Sequence, residues 1–69
     1  MHQRGISSIP VIQALFAFMT ALCEDANDVA MQGHAEDDAD QIVALANRLH
    51  EAGHRLMTLS DAAIAITQR

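Results

Sequence analysis

Residues 42–66 read IVALANRLHEAGHRLMTLSDAAIAI, and this stretch decides the fold. Its apolar residues Ile42, Leu45, Leu49, Ala52, Leu56, Leu59, Ala63 and Ile66 recur in alternating steps of three and four. That spacing keeps one face of a helix apolar and follows the repeat by which two helices pack along a seam. A strand would need alternation in twos. Beside the seam, Ala46, Gly53, Ser60 and Thr67 form a line of small residues over which another helix can approach closely. Glu51 and Arg55 stand four residues apart with the acid first, the favourable order for a helical ion pair. Ahead of the stretch, Glu36, Asp37, Asp38 and Asp40 complement the positive end of a helix dipole. The reading is a helix over about 36–67. A break is possible near Gly53, which costs about 1 kcal/mol relative to Ala in a helix. Another is possible near Ser60-Asp61, which could cap a new helix.

Working outward, Gln32-Gly33-His34 reads as a stop, with Gly33 the first residue past a helix end and a turn over 32–35. Before it, Ile9, Ile12, Phe16, Met19, Cys23, Ala26 and Ala30 recur in threes and fours, flanked by Leu15, Leu22 and Val29. They predict a helix over about 9–31 with a wide apolar stripe, capped by Ser7 or Ser8 and with Pro10 in its first turn. On this reading Cys23 is a buried, inert thiol on the seam. The expected fold is all-α: one small domain over 1–69, an antiparallel helical hairpin that dimerises into a four-helix bundle. The second arrangement is a three-helix monomer. Leu15, Phe16, Leu49 and Leu56 are the expected core. In size and heptad spacing the chain resembles the small Rop-type plasmid regulators, short hairpins that dimerise into four helices. Their RNA-binding face is basic, whereas residues 9–31 here hold no Arg or Lys, so the resemblance implies architecture alone.

Composition agrees with helices. The chain has 69 residues, 51% of them hydrophobic, with two Phe, no Trp or Tyr, three Gly and one Pro. One Cys excludes an internal disulfide framework and a Cys-rich zinc module. A net charge of −5 argues against nucleic-acid binding through a basic surface. A folded chain of 7.5 kDa buries only about 60% of its unfolded surface, which is marginal and favours self-association.

Three features bear on function. The first is the acidic end. Residues 5–23 carry no charge, whereas 24–40 hold Glu24, Asp25, Asp28, Glu36, Asp37, Asp38 and Asp40 and no Arg or Lys. Arg48, Arg55 and Arg69 fall at multiples of seven. The acids are either a solvated tip or a surface that docks on a basic partner. The second feature is the uncharged first helix, with Val11, Ala14, Ala17, Phe18 and Ala21 on its far side. This implies burial on more than one side, and Val11, Leu15, Phe18 and Leu22 are the candidate dimer or partner surface. A small membrane-inserted or exported protein using residues 5–23 is the alternative, since about 19 residues is near the lower limit for a span.

The third feature is His50-Glu51-Ala52-Gly53-His54, a literal H-E-x-x-H on a helix. It resembles the zincin metalloprotease signature, in which His50 and His54 would hold zinc and Glu51 would activate the bound water. Met57 and Ser60 stand where the longer metzincin pattern has glycine and a third histidine. A zinc protein or metal-dependent hydrolase is therefore an alternative; the leading expectation has no cofactor. That leading expectation is a cytoplasmic, non-enzymatic regulator or inhibitor that binds itself and a protein with a basic surface, without direct nucleic-acid contact. A mobile-element or anti-CRISPR-type decoy is one concrete form.

Overall fold

The computed structural model of the chain describes the backbone of residues 2–68 and the side chains of residues 8–68. It holds two helices, α1 (His2–Ala35) and α2 (Ala39–Thr67), packed against each other as a hairpin, with no strand among the described residues. α2 runs unbroken through Gly53 and Ser60, so the three-helix arrangement is not formed. Its inward line is the one expected: Leu45 and Ala63 are buried, and Leu49, Ala52, Leu56, Leu59 and Ile66 half-buried. Ile42, level with the turn, stays 42% exposed.

α1 departs from expectation in three ways. It begins at His2 instead of near Ile9, so Ser7 and Ser8 lie within the helix and do not cap its start, and Pro10 lies inside it and not in its first turn. It ends at Ala35, past Gly33, and no glycine has positive φ. Gly33 is therefore a half-buried helix residue, not a helix stop. A Cβ built there would lie 4.0 Å from Leu45 Cδ1, an ordinary contact distance. The third departure is the seam. Ile12, Leu15, Met19, Leu22, Ala26 and Gly33 are half-buried and Val29 is buried, whereas Ile9, Phe16, Cys23 and Ala30 are exposed. Ile12, Met19 and Ala26 have an apolar line on either side of them, and only one can face α2. The line of Leu15, Leu22 and Val29 takes the place.

The turn is three residues long, Glu36 to Asp38. Glu36 N–H donates to the Gly33 carbonyl at 3.3 Å, and the Glu36 Oε1 accepts from the backbone N–H of Asp37 and of Asp38, each at 3.1 Å. Asp38 is the N-cap of α2 in extended conformation, with no side-chain capping bond of its own. Met19 and Ser60 touch through a 3.5 Å hydroxyl–sulfur contact, and Gly33 meets Leu45. These two pairs set the register, under which the first helical residues of α1, up to about Pro10, lie beyond the end of α2.

The hairpin is a rod of 56 × 15 × 10 Å. Its Cα radius of gyration is 16.2 Å, against about 11 Å for a globular chain of this length. Among the described residues Val29, Leu45 and Ala63 are the buried apolar ones, and each keeps 5–8% of its surface exposed. The chain exposes 5548 Å², about 1,300 Å² more than a globular protein of its mass.

Candidate functional site

Both helices carry a seven-residue repeat, so each outward position belongs to one of two flanks of the rod. On one flank a shallow groove is lined by Leu22, Asp25, Ala26 and Val29 of α1 and Arg48, Glu51, Ala52 and Arg55 of α2. This is the charged flank. Arg55 and Glu51 form an ion pair at 3.5 Å, both more than 60% exposed, worth little in stability at such exposure. Asp25 shares the groove with Arg48 and Arg55, so the arginines interrupt the acidic surface. Arg69, the third arginine of that line, lies outside the described residues.

The seven acids expected at one end gather there, in the turn half of the rod. Glu24, Asp25, Asp28, Asp37, Asp38 and Asp40 are exposed. Glu36 is half-buried, and its carboxylate holds the turn instead of facing outward. The four expected apolar-surface residues separate. Val11 and Phe18 are exposed, at 49% and 65%, whereas Leu15 and Leu22 belong to the intrachain seam.

His50 and His54 lie on successive turns of α2, both exposed, and Glu51 between them is paired with Arg55. Among the described residues no group of three or more His, Cys, Asp or Glu side chains is placed to hold a metal ion. A third ligand is what a catalytic zinc site needs. Cys23 is a free, exposed thiol, not the buried one expected from the sequence.

The opposite flank joins residues that the sequence reading assigns to the seam of α1 and to the small line of α2 with Val43, Met57 and Ile64, whose shared face it does not single out. Its lines are Ile9, Phe16, Cys23 and Ala30 with Gln13, Thr20, Asn27 and His34 on α1. On α2 they are Ala46, Gly53, Ser60 and Thr67 with Val43, His50, Met57 and Ile64. None of these carries an Asp, Glu, Lys or Arg. Phe16 is 57% exposed, Val43 58%, Met57 67% and Ile64 54%. The signal was present in the sequence: Val43, Met57 and Ile64 recur at multiples of seven on what would be a solvent face of α2.

Ser8–Ala35 of α1 is long and apolar enough to cross a membrane by length and composition, a test that core helices and signal sequences also pass. Its uncharged part stops at Cys23, and Glu24, Asp25 and Asp28 follow within the same helix. No protein-family model, no curated protein and no solved structure matches this chain.

Proposed function

We propose that the chain is a non-enzymatic protein–protein interaction module: a hairpin that homodimerises into a four-helix bundle and presents its acidic turn end to a basic surface on a macromolecular partner. One observation carries the reading. Among the described residues the hairpin has three buried apolar residues, and it leaves large apolar side chains exposed from Ile9 to Ile64. Such a rod is half of a core. A standard interface removes about 800 Å² per partner, and obligate homodimers remove more, so an excess of about 1,300 Å² per chain is enough for a stable pair. The acids Asp25, Asp28, Asp37 and Asp38 are exposed and would steer such a bundle toward positive charge.

Sedimentation equilibrium tests the first half of the reading, with a mass of two chains at micromolar concentration as the expected result. A single-chain mass retained to millimolar concentration would overturn it. The partner is tested by affinity capture from the source cell, followed by binding kinetics with the fourfold variant Asp25→Asn, Asp28→Asn, Asp37→Asn and Asp38→Asn. The variant is expected to associate more slowly at low salt and to converge on the parent as salt rises, because steering is screened beyond about 8–10 Å at physiological ionic strength. Equal association rates at low salt would reduce the acids to a solvated tip.

The membrane reading has one supporting observation, the apolar length of α1. A span of residues 5–23 holds no acid but is near the lower limit of length, and extending it along α1 takes in Glu24, Asp25 and Asp28, an Asp costing about 2.5–3.5 kcal/mol at a bilayer centre on insertion scales. We therefore propose a soluble, cytoplasmic module. Recovery of the chain in the membrane fraction, resistant to carbonate washing, would reverse that choice.

A further inference from the structure

We infer that the charge-free flank of the hairpin is the seat of a second copy of the chain, laid against it with its turn at the opposite end. The inference rests on the dimer reading above and adds the face, the direction and the residues at the centre.

The face follows from charge. Every Asp, Glu and Arg of the two helices from Ser8 onward, apart from the turn, falls on the other flank or along the outer backs of the helices. Burying that other flank would desolvate Asp25, Arg48, Glu51 and Arg55, which is unfavourable unless each finds a partner. Burying the charge-free flank removes Phe16, Val43, Met57 and Ile64 from water, and the acid nearest its centre, Glu24, which shares a hollow with Thr20, Cys23 and Asn27, stands at its border.

The direction follows from side-chain size. The contacts Met19–Ser60 and Gly33–Leu45 put Cys23 at the level of Arg55, two residues from Gly53, near the middle of the length over which the helices pair. A two-fold axis through that level, crossing the rod, lays α1 on its copy and α2 on its copy. Phe16 then stands level with Ala30 of the second copy, Met57 with Gly53, Ile64 with Ala46 and Val43 with Thr67. In each case a large exposed side chain meets a small one, as close packing requires. With both turns at the same end, Phe16 would instead meet the Ile64 region and Ala30 would meet Ala46, crowding one end and leaving a gap at the other. That arrangement would also bring together two acidic turn ends, whereas the reversed one sets each against the uncharged residues 8–23 and 62–68 of its neighbour.

At the centre Cys23 faces its own copy across the axis. Two tests follow, both on the full chain. In the first, Gly53→Glu is compared with Thr58→Glu, which adds the same charge on the other flank. A Cβ on Gly53 meets nothing within 4 Å, so the hairpin itself has room for the substitution. The expected result is a dimer dissociation constant raised at least a hundredfold by Gly53→Glu and less than threefold by Thr58→Glu. The reverse order, with the dimer retained, would overturn the face while leaving dimerisation standing. The second test does not depend on how a variant folds. Mild oxidation is expected to link parent chains through Cys23. Moving the thiol one heptad, by Cys23→Ser with Ala30→Cys, shifts each sulfur about 10 Å along its helix and separates the two by about 21 Å, beyond disulfide reach. Linkage by the moved thiol as rapid as by Cys23 would overturn the direction. A chain that sediments as a monomer and links at neither position would overturn both this inference and the dimer it rests on.

Discussion

At Gly33 a methyl group would meet Leu45 Cδ1 at an ordinary contact distance of 4.0 Å, and the backbone there is plain helix. Alanine should therefore be accepted and should recover helix propensity. Gly33→Ala is expected to stabilise the hairpin by about 0.5–1 kcal/mol, a rise in Tm of several degrees in a domain of this size, read by thermal melting. Leu45→Ala is the opposite case. It empties one of three buried positions and should cost about 2–5 kcal/mol, enough to unfold the chain in a circular dichroism melt. His50→Ala should leave Tm within a degree of the parent, and dialysis against chelator should release no stoichiometric zinc; metal retained at one ion per chain or per pair would promote His50 and His54 to ligands. Gly33 also marks the limit of sequence reading. A glycine before a run of acids looks like a helix end, and nothing local distinguishes that from a glycine inside a helix that lies over a leucine twelve residues away.

The two helices were unequally legible, for one physical reason. On α2 polar and charged residues such as Asn47, Arg48, Glu51 and Asp61 mark the faces that do not pack, so the line from Leu45 to Ile66 could be placed from spacing alone. On α1 residues 5–23 hold no charge, and spacing cannot choose between the line of Leu15 and Leu22 and the line of Phe16 and Cys23. In the hairpin the line containing Leu15 faces α2, which puts Asp25 in one groove with Arg48 and Arg55. The acidic end was legible as a cluster, but the inward role of Glu36 was not, because it depends on turn geometry. The turn offers a matched test. Glu36→Ala removes an acceptor from two backbone N–H groups and should cost about 1 kcal/mol, whereas Asp38→Ala, whose side chain makes no capping bond, should cost no more than a few tenths. Equal losses in parallel melts would mean that the turn is held by the caps of α2 and not by Glu36.

For the whole molecule the deciding quantity is surface. A rod that exposes 5548 Å² with three buried apolar residues gains most of its remaining stabilisation from whatever covers it. If a second copy does so, folding and association are one equilibrium, and Tm must rise with protein concentration. Raising the concentration a hundredfold is expected to shift the melting midpoint upward by several degrees; a midpoint independent of concentration would show a hairpin that is stable alone. Because the axis at Cys23 leaves the start of each α1 overhanging the turn of its copy, the largest dimension seen in small-angle scattering should exceed the 56 Å of one hairpin by only about 10 Å while the mass doubles.

The same rod shape has a consequence for magnetic resonance. In both helices the peptide N–H bonds lie close to the long axis of the molecule. Spinning about that axis leaves such bonds pointing the same way, so it cannot relax their nitrogen spins. Nearly every backbone amide will therefore sense only the slow end-over-end tumbling, and will show the short transverse relaxation times of a rounder protein of much greater mass. The three turn amides, tilted away from the axis, are the ones whose relaxation should register the faster rotation.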